Sequence, residues 1–150
     1  MLSRTPVQLI EDHSEQITRR VVERIRHDRE LKEMARLPES ELKDRALEVL
    51  RNLGHWLSAS QREEVARRYE RLGRRRFEED IPLHEVVRCL FILRDSMVDF
   101  VREQGVAQNA LALYAEEELE YRVGAFFGDV VYHAVRGYEL ALREAVHLAG

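Results

Sequence analysis

Between Leu83 and Val101 the apolar side chains recur at three- and four-residue steps. Leu83, Val86, Val87, Leu90, Leu93, Met97, Val98 and Val101 share one helical face, with Arg94 alternating with Leu93 at its edge. In the same stretch Leu90, Phe91, Ile92 and Leu93 follow one another, so the helix is apolar nearly all the way round. Such a helix is expected to meet neighbours on more than one side, as a central packing element or as a face shared with a second copy. Pro82 starts it, because proline suits the first helical position and disfavours helical geometry at Ile81. The predicted end is near Glu103, with Gly105 as the stop.

The same spacing predicts the other helices. Thr5-Pro6 opens the first, and Val7, Ile10, Ser14, Ile17, Val21 and Ile25 carry its seam to about Arg26, with His13 as a boundary polar residue. Residues 28–37 read as a connector with a turn of helix. Pro38 opens a second helix whose stripe is Leu42, Ala46, Val49 or Leu50, Leu53 and Trp56 or Leu57. The single Trp56 is expected to anchor a helix terminus, its N–H reaching a carbonyl or water. Ser60 and Glu63 form a capping-box pattern for a third helix with Val65 or Ala66, Tyr69, Leu72 and Phe77 on its buried side. From Asn109 the pattern is helical almost to the end. Some 40 residues would span about 60 Å, so a break is expected near Glu120 or Gly124. Gly124, Ala125 and Gly128 leave room for close helix approach. No strand-like alternation occurs. The fold class is therefore all-α: a five- or six-helix bundle, with a globin-like or four-helix-bundle core, and a long C-terminal helix.

Composition narrows the reading. One domain over residues 1–150 is long enough for a core without disulfides or a structural metal. One cysteine, no signal-peptide pattern and no apolar run near the roughly 20 residues of a membrane span point to a cytoplasmic chain without membrane association. The net charge of −4 argues against a protein that chiefly holds phosphate backbones. Charge is uneven, however: six arginines and one acid lie between Arg67 and Arg76, followed by Glu78, Glu79 and Asp80, and the last third of the chain is acidic. The arginine run reads as a solvated helix face with acidic partners inside the fold, or as a docking patch. No nucleic acid partner is expected, since the helix after the run starts Leu83-His84-Glu85, poor in base-reading groups.

Candidate chemistry is sparse. Di-iron ligation needs two Glu-x-x-His steps on facing helices, and only Glu144 to His147 has that spacing. One Cys89 and six scattered His do not make a zinc site. There is no Gly-rich phosphate loop, nucleophile elbow or HExxH run. The expectation is no enzyme activity, no metal and no cofactor. The candidates for contact with a haem or small ligand, if the chain were a carrier, are His133, Tyr132 and Trp56, with Phe91 beside them.

Three segments, VQLIEDHSEQITRRVVERI, LGRRRFEEDIPLHEVVRCLFILRDSM and VVYHAVRGYELALREA, resemble in order and spacing the N-terminal domain family of RsbRD-type RsbT co-antagonists. That family is similar to the input modules before sensor histidine kinases and STAS-domain stress regulators in bacteria. The resemblance implies an all-helical input domain, prone to form a homodimer and without catalysis, that relays a signal to an output domain or partner protein. Gly73, Arg74 and Arg75 match the family's small-plus-basic step, Leu83 and Glu85 its leucine and acid at the next helix start, and Leu93 with Arg94 its leucine-arginine end. Pro82 departs from a serine-like cap. Arg74, Arg75, Glu85, Phe91 and Arg94 are the expected interaction residues. The chain reads as a fragment of a larger regulator or a stand-alone relative.

Overall fold

Thr5 starts the first helix as its side chain predicts. In the computed structural model, which describes residues 5–104 and 109–149, the Thr5 hydroxyl accepts from the Gln8 amide at 3.2 Å while the Gln8 side chain accepts from the Thr5 amide at 3.0 Å. This reciprocal cap opens α1 (Pro6–Asp12). The expected single helix is then interrupted at His13, where φ −110° and ψ 23° leave helical geometry before α2 (Ser14–His27). His13 Nδ1 lies 2.9 Å from the Leu9 carbonyl, and its ring packs 5.1 Å from that of Phe100.

The connector holds one 3₁₀ turn, Met34–Arg36, as the weak periodicity suggested. The helix begun after Pro38 is cut at Asn52 into α3 (Glu39–Arg51) and the short α4 (Leu53–Trp56). Trp56 is an anchor: it is buried, and its Nε1 donates to the Glu48 carbonyl at 3.1 Å. Ser60 does not cap the next helix. It lies in a 3₁₀ turn, Ala59–Gln61, pairs its hydroxyl with Ser58, and α5 (Arg62–Glu78) starts two residues later with no side-chain cap.

α5 stops before Ile81-Pro82. The Asp80 amide donates to Phe77 O and the Ile81 amide to Arg76 O, both at 3.0 Å, with Asp80 in the left-handed region at φ 60°. That is a Schellman closure with aspartate where glycine is usual. α6 (Leu83–Glu103) follows, and the stop expected at Gly105 lies outside the described residues. α7 (Ala110–Ala149) is one unbroken helix, capped by Asn109, whose Oδ1 accepts from the Ala112 amide at 2.8 Å. The expected break near Glu120 or Gly124 is absent, because Leu119, Val123, Phe126, Phe127, Val130, Ala134, Gly137 and Ala141 keep one continuous buried stripe past both positions. The described residues thus form seven α-helices and two 3₁₀ turns with no strand, an all-α fold with more, shorter elements than the five or six helices expected.

α6 is the central element. Val86, Cys89, Leu90, Leu93, Met97, Phe100 and Val101 are buried, meeting α2 on one side and α7 on another. α5 lies along α7 as the most extensive helix pair. Their backbones approach closely at two glycines: a Cβ on Gly73 would overlap the Ala134 carbonyl, and one on Gly137 would overlap the Glu70 carbonyl. Close approach was expected at Gly124, Ala125 and Gly128. Gly124 and Gly128 instead face open space.

Candidate functional site

The arginine run lies on α5, and its members have different surroundings. Arg76 is buried, with Nη1 donating to Glu41 at 3.2 Å and to Glu79 at 2.8 Å. Arg75 bonds Glu41 at 3.4 Å and lies 3.7 Å from Glu79. Arg74 reaches Glu144 on α7, Arg67 pairs with Glu64 one turn back, and Arg68 pairs with Glu48 on α3 while its guanidinium stacks 4.9 Å from the Trp56 ring centre. Of the two sequence readings of this run, the structure supports partners inside the fold. The partners come from α3 and α7 as well as from the local acids. Burial pushes the Glu41 carboxyl up, but Arg45, Arg76 and Arg75 outweigh it and hold the group below the usual carboxylate range.

The five expected interaction residues do not form one surface. Glu85 points into the protein, where one carboxylate oxygen accepts from the Glu33 amide at 3.0 Å and the Met34 amide at 3.1 Å. It therefore closes the start of the 3₁₀ turn instead of facing solvent. Phe91 and Arg94 are adjacent on the outer side of α6, the guanidinium 4.4 Å from the ring centre. Arg74 and Arg75 are on α5, engaged as described.

Nor do the expected ligand contacts converge. Trp56 is under Arg68 at the end of α4. Tyr132 is 60% exposed, its ring edge-on to His133. His133 Nδ1 lies 3.4 Å from Glu70, which also pairs with Arg136 at 3.3 Å. Phe91 is on another helix. Among the described residues no group of three or more His, Cys, Asp or Glu could hold a metal ion. Cys89 is buried in α6, and burial pushes its thiol up to about 12, so it is protonated and unreactive.

The sequence reading assigned the shared apolar face to α6, whose apolar side chains are mostly covered. The bare face is on α7. Every large apolar side chain left exposed among the described residues belongs to that helix: Leu111, Leu113, Tyr114, Tyr121, Tyr132, Leu140, Leu142, Val146 and Leu148. Tyr121, Ala125, Gly128, Tyr132, Val135, Leu142 and Val146, with Glu139 between Val135 and Leu142, follow alternating four- and three-residue steps. That is the period of a seam between two helices. It was available in the sequence, but a helix with apolar residues on two sides does not say which side its own fold covers. Beyond Ala141 no residue of α7 is buried, and Leu142, Val146 and Leu148 stand free at its end.

No helix among the described residues is long and apolar enough to cross a membrane. The family model described as the RsbT co-antagonist protein rsbRD N-terminal domain matches residues 15–148. No curated protein and no solved structure matches the chain.

Proposed function

The chain belongs to the rsbRD N-terminal domain family of RsbT co-antagonist proteins, and from that membership we propose that it is a non-catalytic input domain that pairs with a second copy of itself along α7. The family supports a regulatory, partner-switching role. In this reading the paired α7 helices pass a conformational signal toward their C-terminal ends, where an output module of kinase or STAS type receives it. The mechanism is a small shift of packed helices between two discrete arrangements.

The observation that carries the pairing is the seam on α7. Tyr121 is 78% exposed and Val146 64% exposed at seam positions of one helix, whereas elsewhere the described fold covers its large apolar groups. A contiguous apolar face of this kind marks an interaction surface. A second copy is the occupant that fits, because the 4-3 spacing is that of two helices packed side by side. The partner class is therefore protein, with neither nucleic acid nor membrane.

Sedimentation equilibrium at micromolar concentration tests it. A dimer is expected, and Tyr132→Glu with Leu142→Glu should give a monomer of unchanged helicity by circular dichroism. A wild-type chain that sediments as a strict monomer removes the pairing.

A further inference from the structure

α3 and α5 are joined by long side chains reaching over a gap: Arg68 to Glu48, and Arg75 and Arg76 to Glu41. Beside these bridges is a cavity of about 70 Å³ whose lining is mostly apolar, Ile25, Ala46, Leu72 and Leu93 among its walls. Its polar lining comes from Arg45, Glu48 and Arg68, which keep part of their surface in solvent and mark the mouth, and from Tyr69 and Arg76, which are buried. The site is therefore mostly apolar, with arginines at its mouth and beside its wall. We propose that this cavity binds a short-chain aliphatic monocarboxylate, with the tail against the apolar lining and the carboxylate on Arg68.

Size sets the tail. A dry engineered cavity of about 150 Å³ accepts benzene, so a space near half that volume takes about three or four carbons. A haem or a long acyl chain does not fit.

Charge sets the head. The ion pairs around the cavity join Arg45, Arg68, Arg75 and Arg76 to Glu41, Glu48 and Glu79. Four guanidiniums face three carboxylates, an excess of one positive charge that a monoanion balances. Arg68 is the group with donor capacity to spare: its Nη2 bonds Glu48, while its buried Nε has no partner. A carboxylate takes two parallel N–H groups from one guanidinium edge, so Nε with Nη2 offers an acid more than Glu48 alone uses. The arginine keeps 24% of its side-chain surface in solvent, which lets the charged head stay at the rim without full desolvation. Tyr69 is also in the lining: burial pushes its phenol to about 12 against the pull of Arg68 and Arg45, so it stays protonated and adds no negative charge there.

Trp56 reports on the site. Its ring is under the Arg68 guanidinium and its N–H is held by the Glu48 backbone, so a ligand that draws Arg68 from Glu48 alters Trp56 emission. The experiment titrates the full chain with butyrate, pentanoate, octanoate, 1-pentanol and sodium chloride at matched ionic strength, following tryptophan emission, melting temperature and heat of binding. Butyrate or pentanoate should give a saturable response at millimolar concentration, with octanoate, pentanol and chloride giving none. Arg68→Gln should weaken binding at least tenfold, and Ala46→Leu, which fills the cavity, should abolish it. The proposal is overturned by no saturable response to either short acid, by an equal response to pentanol or chloride, or by undiminished binding in a folded Ala46→Leu chain. Should either variant fail to fold, the wild-type comparison of acid with alcohol decides. The outcome is independent of whether α7 pairs, which sedimentation reads separately.

Discussion

Asp80 carries the turn between α5 and α6 in a conformation most residues avoid. At φ 60° its backbone is left-handed, and its amide and that of Ile81 close the end of α5 on Phe77 and Arg76. Aspartate tolerates this region better than most side chains, yet glycine enters it freely. Asp80→Gly should therefore stabilise the protein by about 0.5–1 kcal/mol, the strain relieved exceeding glycine's added unfolded-state entropy, and a urea melt measures it. The turn is otherwise well held: Ile81 is buried, and the Tyr138 hydroxyl of α7 donates to its carbonyl at 2.7 Å. That bond fixes the entry of α6 relative to α7, the helix assigned the output role. Unchanged or reduced stability in Asp80→Gly would mean that the aspartate side chain contributes more than its backbone costs.

At the scale of helices, the four glycines discussed above divide by environment. Gly73 and Gly137 lie where α5 and α7 approach backbone to backbone, and a Cβ at Gly73 would also come within 2.8 Å of the Tyr138 amide. Gly73→Ala should destabilise by about 1–3 kcal/mol, as overpacking against an immovable carbonyl does. Gly124→Ala meets nothing within 4 Å and should stabilise by up to about 1 kcal/mol through helix propensity alone. Opposite signs for the same substitution in thermal melts check both. The contrast also shows what periodicity conveys. The stripes of α2, α3 and α5 were legible because each has one dominant apolar side, and α6 because its apolar surface runs nearly all the way round. Spacing could not say which of Gly73, Gly124, Gly128 and Gly137 faces a backbone, since that depends on where two distant helices cross. The interruptions at His13 and Asn52 were equally hidden, because the hydrophobic pattern runs on through both. Glu85 was noticed as an acid opening α6, but its engagement with the Glu33 and Met34 amides is a contact across more than fifty residues that no local pattern encodes. The cavity behind Arg68 is of the same kind, assembled from α2, α3, α5 and α6.

For the whole molecule, carboxylates tie elements distant in sequence, and this sets its response to acid. Glu41 links α3 to two arginines of α5, and Asp28, after α2, accepts from Arg88 of α6 at 2.7 Å. Both acids are held below their ordinary values of 4.5 and 3.8, Glu41 by three arginines acting against burial, Asp28 chiefly by its hydrogen bond from Arg88. A carboxyl whose folded pKa is depressed contributes stability that is present above its unfolded pKa and is lost as pH falls through the folded one. The melting temperature should therefore hold from pH 7 to about 5 and fall progressively below pH 4.5. Glu41→Gln supplies the control: it should melt lower than the wild type at pH 7, with the difference shrinking as acid protonates the wild-type carboxyl, below the ordinary value of 4.5. A difference that stays constant down to pH 2 would mean that Glu41 acts through packing. Carboxylates also join α5 to α7, Glu70 to His133 and Arg136 and Glu144 to Arg74, but there they overlie the most extensive helix contact in the fold, so acid should loosen the bridge between α3 and α5 before the contact of α5 with α7. Hydrogen exchange at pH 4 should accordingly show α3 amides losing protection ahead of those of α7 between residues 123 and 137. Loss of protection in α7 first would place the acid-sensitive contacts elsewhere.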